Sequence, residues 1–383
     1  MSMRKKAAGG AAVLAAGKAV TQVSGLVRNV IVAAIIGATN MGVAATFLLT
    51  ITFLEAVSAV AGDKFLVQDR EGDNERMQAS VQSVMLLRSI LLALAIFLLA
   101  EPIAWLFSTP QATNAYQLLA LVPLLRGLQN LDQKRIQRDM RFVQNTIVTT
   151  LPAVVMLAAA YPIAIWFKDY NAVLTLLLLG ALAQTIATHA MAERRFSLAW
   201  NRDYVARAMK FGWPLLINGV LMFVILQGDN FLIGSGPRLL GSTYTKADLG
   251  VYAVAMILAM APTGAVATVG SSVMLTLLSR VQDDAVAFER RTRLFVAALT
   301  VASSAMSPLF IIAGPAIAIL LYGREYTDIT QVLGIIAAMQ ALRMIKLGPT
   351  LAAMAKGDTR TLMVTNIIRT VAFSGAIYAA SVS

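Results

Sequence analysis

Cysteine is absent from this sequence of 383 residues, and histidine occurs only once, as His189. Without cysteine the chain has no disulfide, no thiol nucleophile and no thiolate metal ligand, and a single histidine excludes a metal site built from several imidazoles. Charged residues are also scarce, at 14% of the chain, whereas soluble domains carry about 25%. The low charge content therefore excludes an ordinary soluble domain.

Apolar residues are abundant instead, at 58% of the chain, and the mean hydropathy is +0.71. This composition predicts an all-α protein that crosses a membrane several times, because helices satisfy their own backbone hydrogen bonds in lipid. The formal net charge is +12, but most basic residues lie in short loops, where they set the orientation in the membrane. We therefore predict the lipid bilayer, and no nucleic acid, as the surroundings of this chain.

Eleven apolar stretches are long enough to cross a bilayer, which takes about 20 residues of helix. The predicted spans are residues 10–36, 43–62, 79–99, 112–130, 142–166, 172–190, 212–234, 249–278, 294–322, 330–350 and 361–380. The loops on one side of these spans hold 21 basic residues, and the loops on the other side hold 4. Because basic loops stay in the cytoplasm, the N-terminus and the even-numbered loops are predicted to be cytoplasmic.

The sixth loop is the longest basic stretch and divides the chain into two parts. We predict a six-helix N-terminal lobe at residues 1–190, a cytoplasmic amphipathic connector at residues 191–211 and a C-terminal lobe at residues 212–383. The two parts share a short pattern, since MGVAA at residues 41–45 corresponds to LGVYA at residues 249–253. Internal repeats of this size are typical of transporters whose halves move against each other.

Polar residues form a stripe along the first predicted span. Lys18, Gln22, Gly25 and Asn29 follow the spacing of one helix face, and Arg28 lies on its flank. An arginine at the centre of a lipid-facing helix costs about 2.5–3.5 kcal/mol, and Arg28 is too far from either end to reach the headgroups easily. We therefore predict that this helix forms the wall of a polar cavity.

Several segments carry a resemblance to a known family. They are the first span with its turn at residues 37–42, FGWPLLINGVLMFVILQGDNFLIG at residues 211–234, LGVYAVAMILAMAPTG at residues 249–264 and IQRDMRFVQN at residues 136–145. In these segments the chain resembles the polysaccharide biosynthesis flippases of the Wzx type, which belong to the multidrug, oligosaccharidyl-lipid and polysaccharide exporter superfamily. The resemblance implies a MATE-like fold, with two lobes around a central cavity that opens alternately to each side of the bacterial cytoplasmic membrane.

Members of that family usually have more than eleven helices. We therefore expect either a shortened second lobe or a further boundary inside the segments 249–278 or 294–322. Each of these segments is longer than a single crossing requires.

Basic residues outnumber acidic ones inside the predicted spans, which favours an anionic substrate over a cationic drug. The substrate implied by the resemblance, a polyprenyl-pyrophosphate-linked oligosaccharide, is expected to bind cationic side chains, because guanidinium and ammonium groups make strong bonds to phosphate oxygens. The predicted cavity residues are Lys18, Arg28, Arg88, Arg126, Arg343, Lys346 and Arg369. For the three nearest the membrane surface, Lys18, Arg126 and Lys346, snorkelling to the headgroups is an equal alternative.

Glu55 and Asp229 are the two acidic residues inside these spans. They are predicted either to bind a coupling ion, H⁺ or Na⁺, or to pair with cations as structural contacts, Glu55 with Arg28 and Asp229 with Arg343 or Arg369. Two further predictions concern single residues. Asn366 is expected to share the helix face of Arg369, and His189 is expected to lie at the membrane interface.

The function predicted from these features is export of the lipid-linked oligosaccharide for exopolysaccharide, capsule or O-antigen synthesis, by alternating access and without catalysis, cofactor or metal. A multidrug or lipid II exporter of the same superfamily is the alternative. A membrane-embedded polysaccharide polymerase or ligase is more remote, because the predicted periplasmic loops at residues 37–42, 100–114 and 167–171 are short and nearly free of charge. The chain is expected to act as a monomer and to have a polysaccharide polymerase and export machinery as its protein partners.

Overall fold

The structure, a computed structural model, describes residues 3–356 apart from residues 61, 140 and 280, and beyond them residues 364, 365, 368, 369 and 375. This part of the chain is helical and contains no strand. The α-helices are α1 Met3–Val57, α2 Gly62–Gln68, α3 Glu75–Leu98, α4 Ala100–Leu106, α5 Thr113–Leu119, α6 Leu121–Gly127, α7 Asp132–Arg138, α8 Phe142–Phe167, α9 Asn171–Ala190, α10 Arg202–Leu239, α11 Lys246–Ser279, α12 Ala285–Ile312, α13 Gly314–Tyr322 and α14 Ile329–Ala355, with short 3-10 helices at Pro110–Ala112 and Arg324–Tyr326. The predicted all-α class is confirmed.

Within the described residues, eight helices are long and apolar enough to cross a membrane. Together with their composition they make the chain a multi-pass membrane protein. The predicted number of eleven spans is not confirmed. The first two predicted spans lie in one continuous helical segment, Val13–Val57, and the fourth is divided between the short helices α5 and α6. The eleventh, residues 361–380, lies mostly outside the described residues.

The helix bounds differ from the prediction at residues 249–278 and 202–211 and agree with it at residues 294–322. The helix α11 runs through residues 249–278 without a break, so no further span boundary lies inside this segment. The segment 294–322 does contain a joint, because α12 ends at Ile312 and α13 begins at Gly314. The predicted connector, residues 191–211, is shorter in the structure. Its last ten residues, 202–211, form the first turns of α10.

A glycine kink divides α1 into two segments. Gly37 has φ +78° and ψ 169°, a conformation that only glycine adopts without strain. Two side chains donate hydrogen bonds to backbone carbonyl groups beside the kink. The Asn40 amide donates to the Ile36 oxygen at 2.8 Å, and the Tyr326 hydroxyl donates to the Ala33 oxygen at 3.2 Å. The 45-residue apolar segment is much longer than one crossing needs, and this kink is where its direction changes.

The helices α1 and α11 cross in direct backbone contact. A Cβ atom on Gly42 would lie 1.7 Å from the Lys246 carbonyl oxygen, and a Cβ atom on Gly250 would lie 1.9 Å from the Ala38 carbonyl oxygen. Each glycine also abuts the backbone nitrogen of the other. These glycines occupy the same position in the two copies of the repeated pattern, so the repeat marks the point where the two parts of the chain meet.

Two apolar cores lie on either side of α1. One joins the first segment of α1 to α8, α11 and α14, with Val32, Ala255 and Ala337 almost fully buried. The other joins the second segment of α1 to α3, α5 and α9, around Phe47 and Tyr116. The long kinked helix α1 therefore belongs to both cores and fixes the helices of one relative to those of the other.

Ion pairs hold the short helices and the connector at the end of the bundle that is predicted to be cytoplasmic. Asp132 is fully buried and accepts hydrogen bonds from Arg135 Nε at 2.7 Å and from the backbone N–H groups of Glu193 and Arg194 at 2.8 and 3.1 Å. Arg207 of α10 pairs with Asp69 at 2.6 Å. These contacts tie the chain on either side of residues 195–201 to the loops of the first part.

Replacing Asp132 with asparagine is expected to lower the free energy of unfolding by about 2 kcal/mol at neutral pH, because Arg135 and the backbone N–H groups of Glu193 and Arg194 lose a buried charged acceptor. Glu193 still pairs with Arg135 at 2.6 Å in the variant and limits the loss. Burial raises the pKa of the Asp132 carboxyl, but hydrogen bonds from Arg135 and from the backbone of Arg194 and Glu193 outweigh burial and leave the pKa below its ordinary value. The stabilisation is therefore complete above the ordinary carboxyl pKa of about 3.9 and is lost as the pH falls through the lower folded-state value. Thermal unfolding of the purified protein as a function of pH measures both effects.

Asp139→Asn is the matched control, because Asp139 is half-exposed and contacts Arg135 only at 3.4 Å. It should change stability by less than about 0.5 kcal/mol. Equal unfolding curves for Asp132→Asn and the parent protein would show that the buried carboxylate contributes no net stability.

Candidate functional site

Arg28 lies in the first segment of α1, beside α8. Its guanidinium donates from Nη2 to the Asn29 side-chain oxygen at 3.1 Å and contacts the Met156 sulfur from Nη1 at 3.2 Å. Arg28 and Asn29 line a small cavity of about 100 Å³ whose other walls are apolar side chains of α1, α9 and α11. No carboxylate among the described residues forms an ion pair with Arg28, so its charge is held inside the bundle without an anion.

Arg88 and Arg126 lie together in a second and larger cavity of about 330 Å³. Arg88 of α3 donates to the Ser58 hydroxyl and to the Glu55 backbone oxygen, both at 3.1 Å. Arg126 of α6 forms an ion pair with the Glu55 carboxylate. Its described lining residues belong to the end of α1, to the helices α2, α3, α6, α7 and α9, and to the turn after α6. All of these elements lie within the first 190 residues.

Arg28 and Arg88 therefore line two different cavities. The small cavity at Arg28 borders on the crossing of α1 with α11 and includes Ala253 and Ile257 of α11. None of the described side chains that line the larger cavity belongs to α11. The expectation that these basic side chains surround one common space is corrected for this pair of arginines.

Three cations lie close together at α14 and the segment after it. Arg343 and Lys346 are on α14, and Arg369 follows in the next part of the chain. Lys346 is exposed and the two arginines are half-buried, and the three are near enough to repel one another. None of them forms an ion pair within the described residues, so this group resembles an anion site more than a structural contact.

The two acids have partners other than those predicted. Glu55 pairs with Arg126 and not with Arg28. Asp229 accepts a hydrogen bond from the Tyr252 hydroxyl at 2.5 Å and another from the Asn230 backbone at 2.8 Å, and it forms no ion pair with either Arg343 or Arg369. The expected pairs were wrong because helix spacing shows which face of a helix a residue occupies but not which helix lies opposite.

The remaining predicted residues lie at the margins. Lys18 is exposed on α1. His189, at the exposed end of α9, contacts the Leu128 carbonyl oxygen at 2.9 Å and stacks beside Phe196. Asn366 lies outside the described residues, so its predicted place beside Arg369 stays a prediction.

Sequence reasoning missed Lys134, Asp63 and Gln184, which line the larger cavity with Arg88 and Arg126. Lys134 lies 3.5 Å from Asp63. Lys134 was counted only as one of the basic loop residues that orient the chain, and no spacing rule connects it to Arg88, which is on a different helix. In the part of the chain that the structure describes, no three histidine, cysteine or acidic side chains come together in a group that could hold a metal ion.

The sequence profile of a family described as polysaccharide biosynthesis protein matches residues 31–331. The succinoglycan biosynthesis transport protein ExoT of Rhizobium meliloti (strain 1021) is 24% identical over 322 residues, which are 82% of this chain and 62% of that protein. The chain thus corresponds to about three-fifths of the length of this relative.

The fold is similar to those of solved transporters. The lipid II flippase MurJ in an inward closed conformation superposes with a TM-score of 0.71 and 16% identity, covering 94% of this chain and 79% of MurJ. An inward-facing multidrug resistance MATE family transporter of the MOP superfamily superposes with a TM-score of 0.67 and 13% identity, covering 92% of this chain and 84% of the transporter. At these identities the likeness establishes the fold and leaves the substrate open.

Proposed function

Because the chain belongs to the polysaccharide biosynthesis protein family, we propose that it is a flippase that moves a polyprenyl-pyrophosphate-linked oligosaccharide across the cytoplasmic membrane. The molecule would enter from the cytoplasmic leaflet and leave toward the periplasm. No bond of the substrate is made or broken, and the protein supplies only binding and a change of shape. Export of this kind provides the repeating units from which a surface or secreted polysaccharide is assembled.

The observation that carries the proposal is a set of cations without acidic partners on the long apolar helices and the segment after α14. Arg28, and the group formed by Arg343, Lys346 and Arg369, make no ion pair with any described carboxylate. On the lenient insertion scale each costs about 2.5–3.5 kcal/mol if it faces lipid. A doubly charged pyrophosphate offsets this cost through charge-assisted hydrogen bonds, whereas a cationic drug would raise it.

The arrangement of helices supports alternating access as the mechanism. Under the predicted orientation, the crossing of α1 and α11 at Gly42 and Gly250 lies toward the periplasm and holds the two helices in backbone contact there. The kink at Gly37 separates the two segments of α1 and is suited to act as a hinge, because hinges absorb their motion in a few backbone dihedrals. Loss of the crossing contact would open the path on that side.

Deletion of the gene is expected to cause a polyprenyl-pyrophosphate-linked oligosaccharide to accumulate, because synthesis in the cytoplasm continues while transfer across the membrane stops. Extraction of the lipid fraction and mass spectrometry identify the accumulated molecule, and resistance to a periplasmic glycosidase in intact cells shows that it lies on the cytoplasmic side. Restoration of the gene should remove the accumulated lipid.

The identity of the accumulated lipid also separates the proposal from its alternative. Accumulation of lipid II would assign the chain to peptidoglycan precursor export. A deletion strain with unchanged lipid-linked sugars and normal surface polysaccharide would contradict the proposal.

A further inference from the structure

The larger cavity, at Arg88, is enclosed by one part of the chain and does not lie between the two predicted lobes. Its described lining residues extend from Glu55 to Gln184, and all lie in the predicted N-terminal lobe, residues 1–190. A site inside one lobe keeps its shape when the lobes move against each other. Such a cavity is therefore available to a ligand before transport begins.

The charges in this cavity nearly balance. Arg126 is paired with Glu55, and Lys134 lies 3.5 Å from Asp63. Arg88 is left without an ion pair among the described residues, so the cavity carries one uncompensated positive charge. A pyrophosphate, with at least two negative charges, would be repelled by the two carboxylates already present, whereas a ligand with a single negative charge would neutralise the cavity.

The guanidinium of Arg88 is held in place and retains free donors. Two of its five N–H groups are used, one for the Ser58 hydroxyl and one for the Glu55 backbone oxygen. Both partners lie at the end of α1, so they fix the plane of the guanidinium from that side. The remaining N–H groups can bind a planar carboxylate in the two-bonded geometry that arginine favours.

Neutral polar side chains complete the lining. The amides of Gln129 and Gln184 border the cavity and make no side-chain hydrogen bond within the described part of the chain, so both have donors and acceptors available for hydroxyl groups. The cavity volume of about 330 Å³ falls at the lower end of the range of about 300–1,000 Å³ for small-ligand sites. The lining thus suits a small hydroxyl-rich ligand with one carboxylate.

We infer that this cavity recognises a single acidic sugar, one carrying a carboxylate, within the glycan of the transported molecule. The inference rests on the proposed function, and it places glycan recognition in the N-terminal part of the chain, apart from the cations expected to hold the pyrophosphate. Arg88 binds the carboxylate, and Gln129 and Gln184 bind hydroxyl groups of the same ring. The site selects substrates by their sugar before the lobes move.

Binding of free monosaccharides to the purified full-length protein in lipid nanodiscs tests the inference. Glucuronate should raise the unfolding temperature in a saturable manner, because a ligand that binds only the folded state stabilises it. Glucose, which has the same ring without the carboxylate, should bind at least about tenfold more weakly, as expected for loss of a charge-assisted contact. Glucose 6-phosphate should also bind more weakly than glucuronate, because its second negative charge meets Glu55 and Asp63.

Two variants connect the binding to this cavity. Arg88→Gln should remove the preference for glucuronate over glucose, and Gln184→Ala should weaken the binding of both sugars while the preference remains. Lys64→Gln is the matched control, because Lys64 is exposed on α2 next to Asp63 and is not among the lining residues. Its loss removes the same charge and should leave both affinities unchanged.

Three results would overturn the inference. The first is equal binding of glucuronate and glucose, and the second is a preference for glucuronate over glucose that persists in Arg88→Gln. The third is tighter binding of glucose 6-phosphate than of glucuronate, which would make the cavity a phosphate site. Since the measurement involves no export, it is independent of the deletion experiment. Accumulation of lipid-linked oligosaccharide in the deletion strain together with no glucuronate binding would remove this inference and leave the proposed function standing.

Discussion

Replacing Arg28 with glutamine is expected to abolish polysaccharide export while the protein still inserts into the membrane. The guanidinium has only Asn29 and the Met156 sulfur as partners, so its removal leaves no buried acid unpaired. If Arg28 binds the pyrophosphate, affinity for the substrate should fall at least about thirtyfold, which is equivalent to about 2 kcal/mol. The amount of exported polymer, together with the level of accumulated lipid-linked oligosaccharide, measures the effect.

Two further variants make the result specific. Arg28→Lys keeps the charge but loses the two-bonded contact to phosphate, and we expect partial export. Arg202→Gln removes a positive charge from the exposed start of α10 and should export normally. Normal export by Arg28→Gln, with protein levels equal to the parent, would refute the role of Arg28 in substrate binding.

The second large effect is expected at the crossing of α1 and α11. Gly42→Ala would place a methyl group 1.7 Å from the Lys246 carbonyl oxygen, and because the obstructing atom belongs to the backbone, the helices must separate. Overpacking of this kind costs about 1–3 kcal/mol or more. We expect export to be lost and the closed arrangement at this end to be destabilised, and Gly250→Ala should have the same effect because its methyl group would meet the Ala38 carbonyl oxygen at 1.9 Å.

The chain contains no cysteine, so cysteine pairs can report on this contact without interfering background. A pair of cysteines is introduced at positions on α1 and α11 whose Cβ atoms lie within about 4.5 Å of each other across the crossing. Their disulfide should form in the protein with both glycines unchanged and should form less when Gly42→Ala is added. Gly25→Ala is the matched control on the same helix, because a Cβ there has no atom within 4 Å. Undiminished cross-linking and export in Gly42→Ala would mean that the crossing does not need close backbone contact.

The family and the helical class were accessible from the sequence because both are expressed along the chain. Apolar runs of bilayer length can be counted one by one, and the repeated MGVAA and LGVYA patterns pointed to the two glycines that abut in the structure. The number of spans was less accessible. The segment Val13–Val57 holds two predicted spans in one helix with a kink, and the fourth predicted span is divided between α5 and α6. A search for apolar runs of one fixed length therefore cannot reproduce the bounds of these helices.

The grouping of charges could not be predicted. Arg88, Arg126 and Lys134 come from three helices and meet Glu55 and Asp63 from two more, and the sequence spacing between helices contains no information about their separation in space. For the same reason Glu55 was expected beside Arg28, although Arg126 is its partner, and Asp229 was expected beside an arginine, although Tyr252 is its partner.

The sequence alone determined that this chain lies in a membrane, that it is helical and that it carries cations within its predicted spans, because each of these properties follows from the cost of transferring particular side chains into lipid. Only the tertiary structure decided that the cations fall into separate groups, with Arg28 near the crossing and Arg88 inside one part of the chain. The difference has a physical reason. Transfer free energy is a property of a residue and its neighbours along the helix, whereas pairing and cavity shape depend on which helices pack together and at what angle.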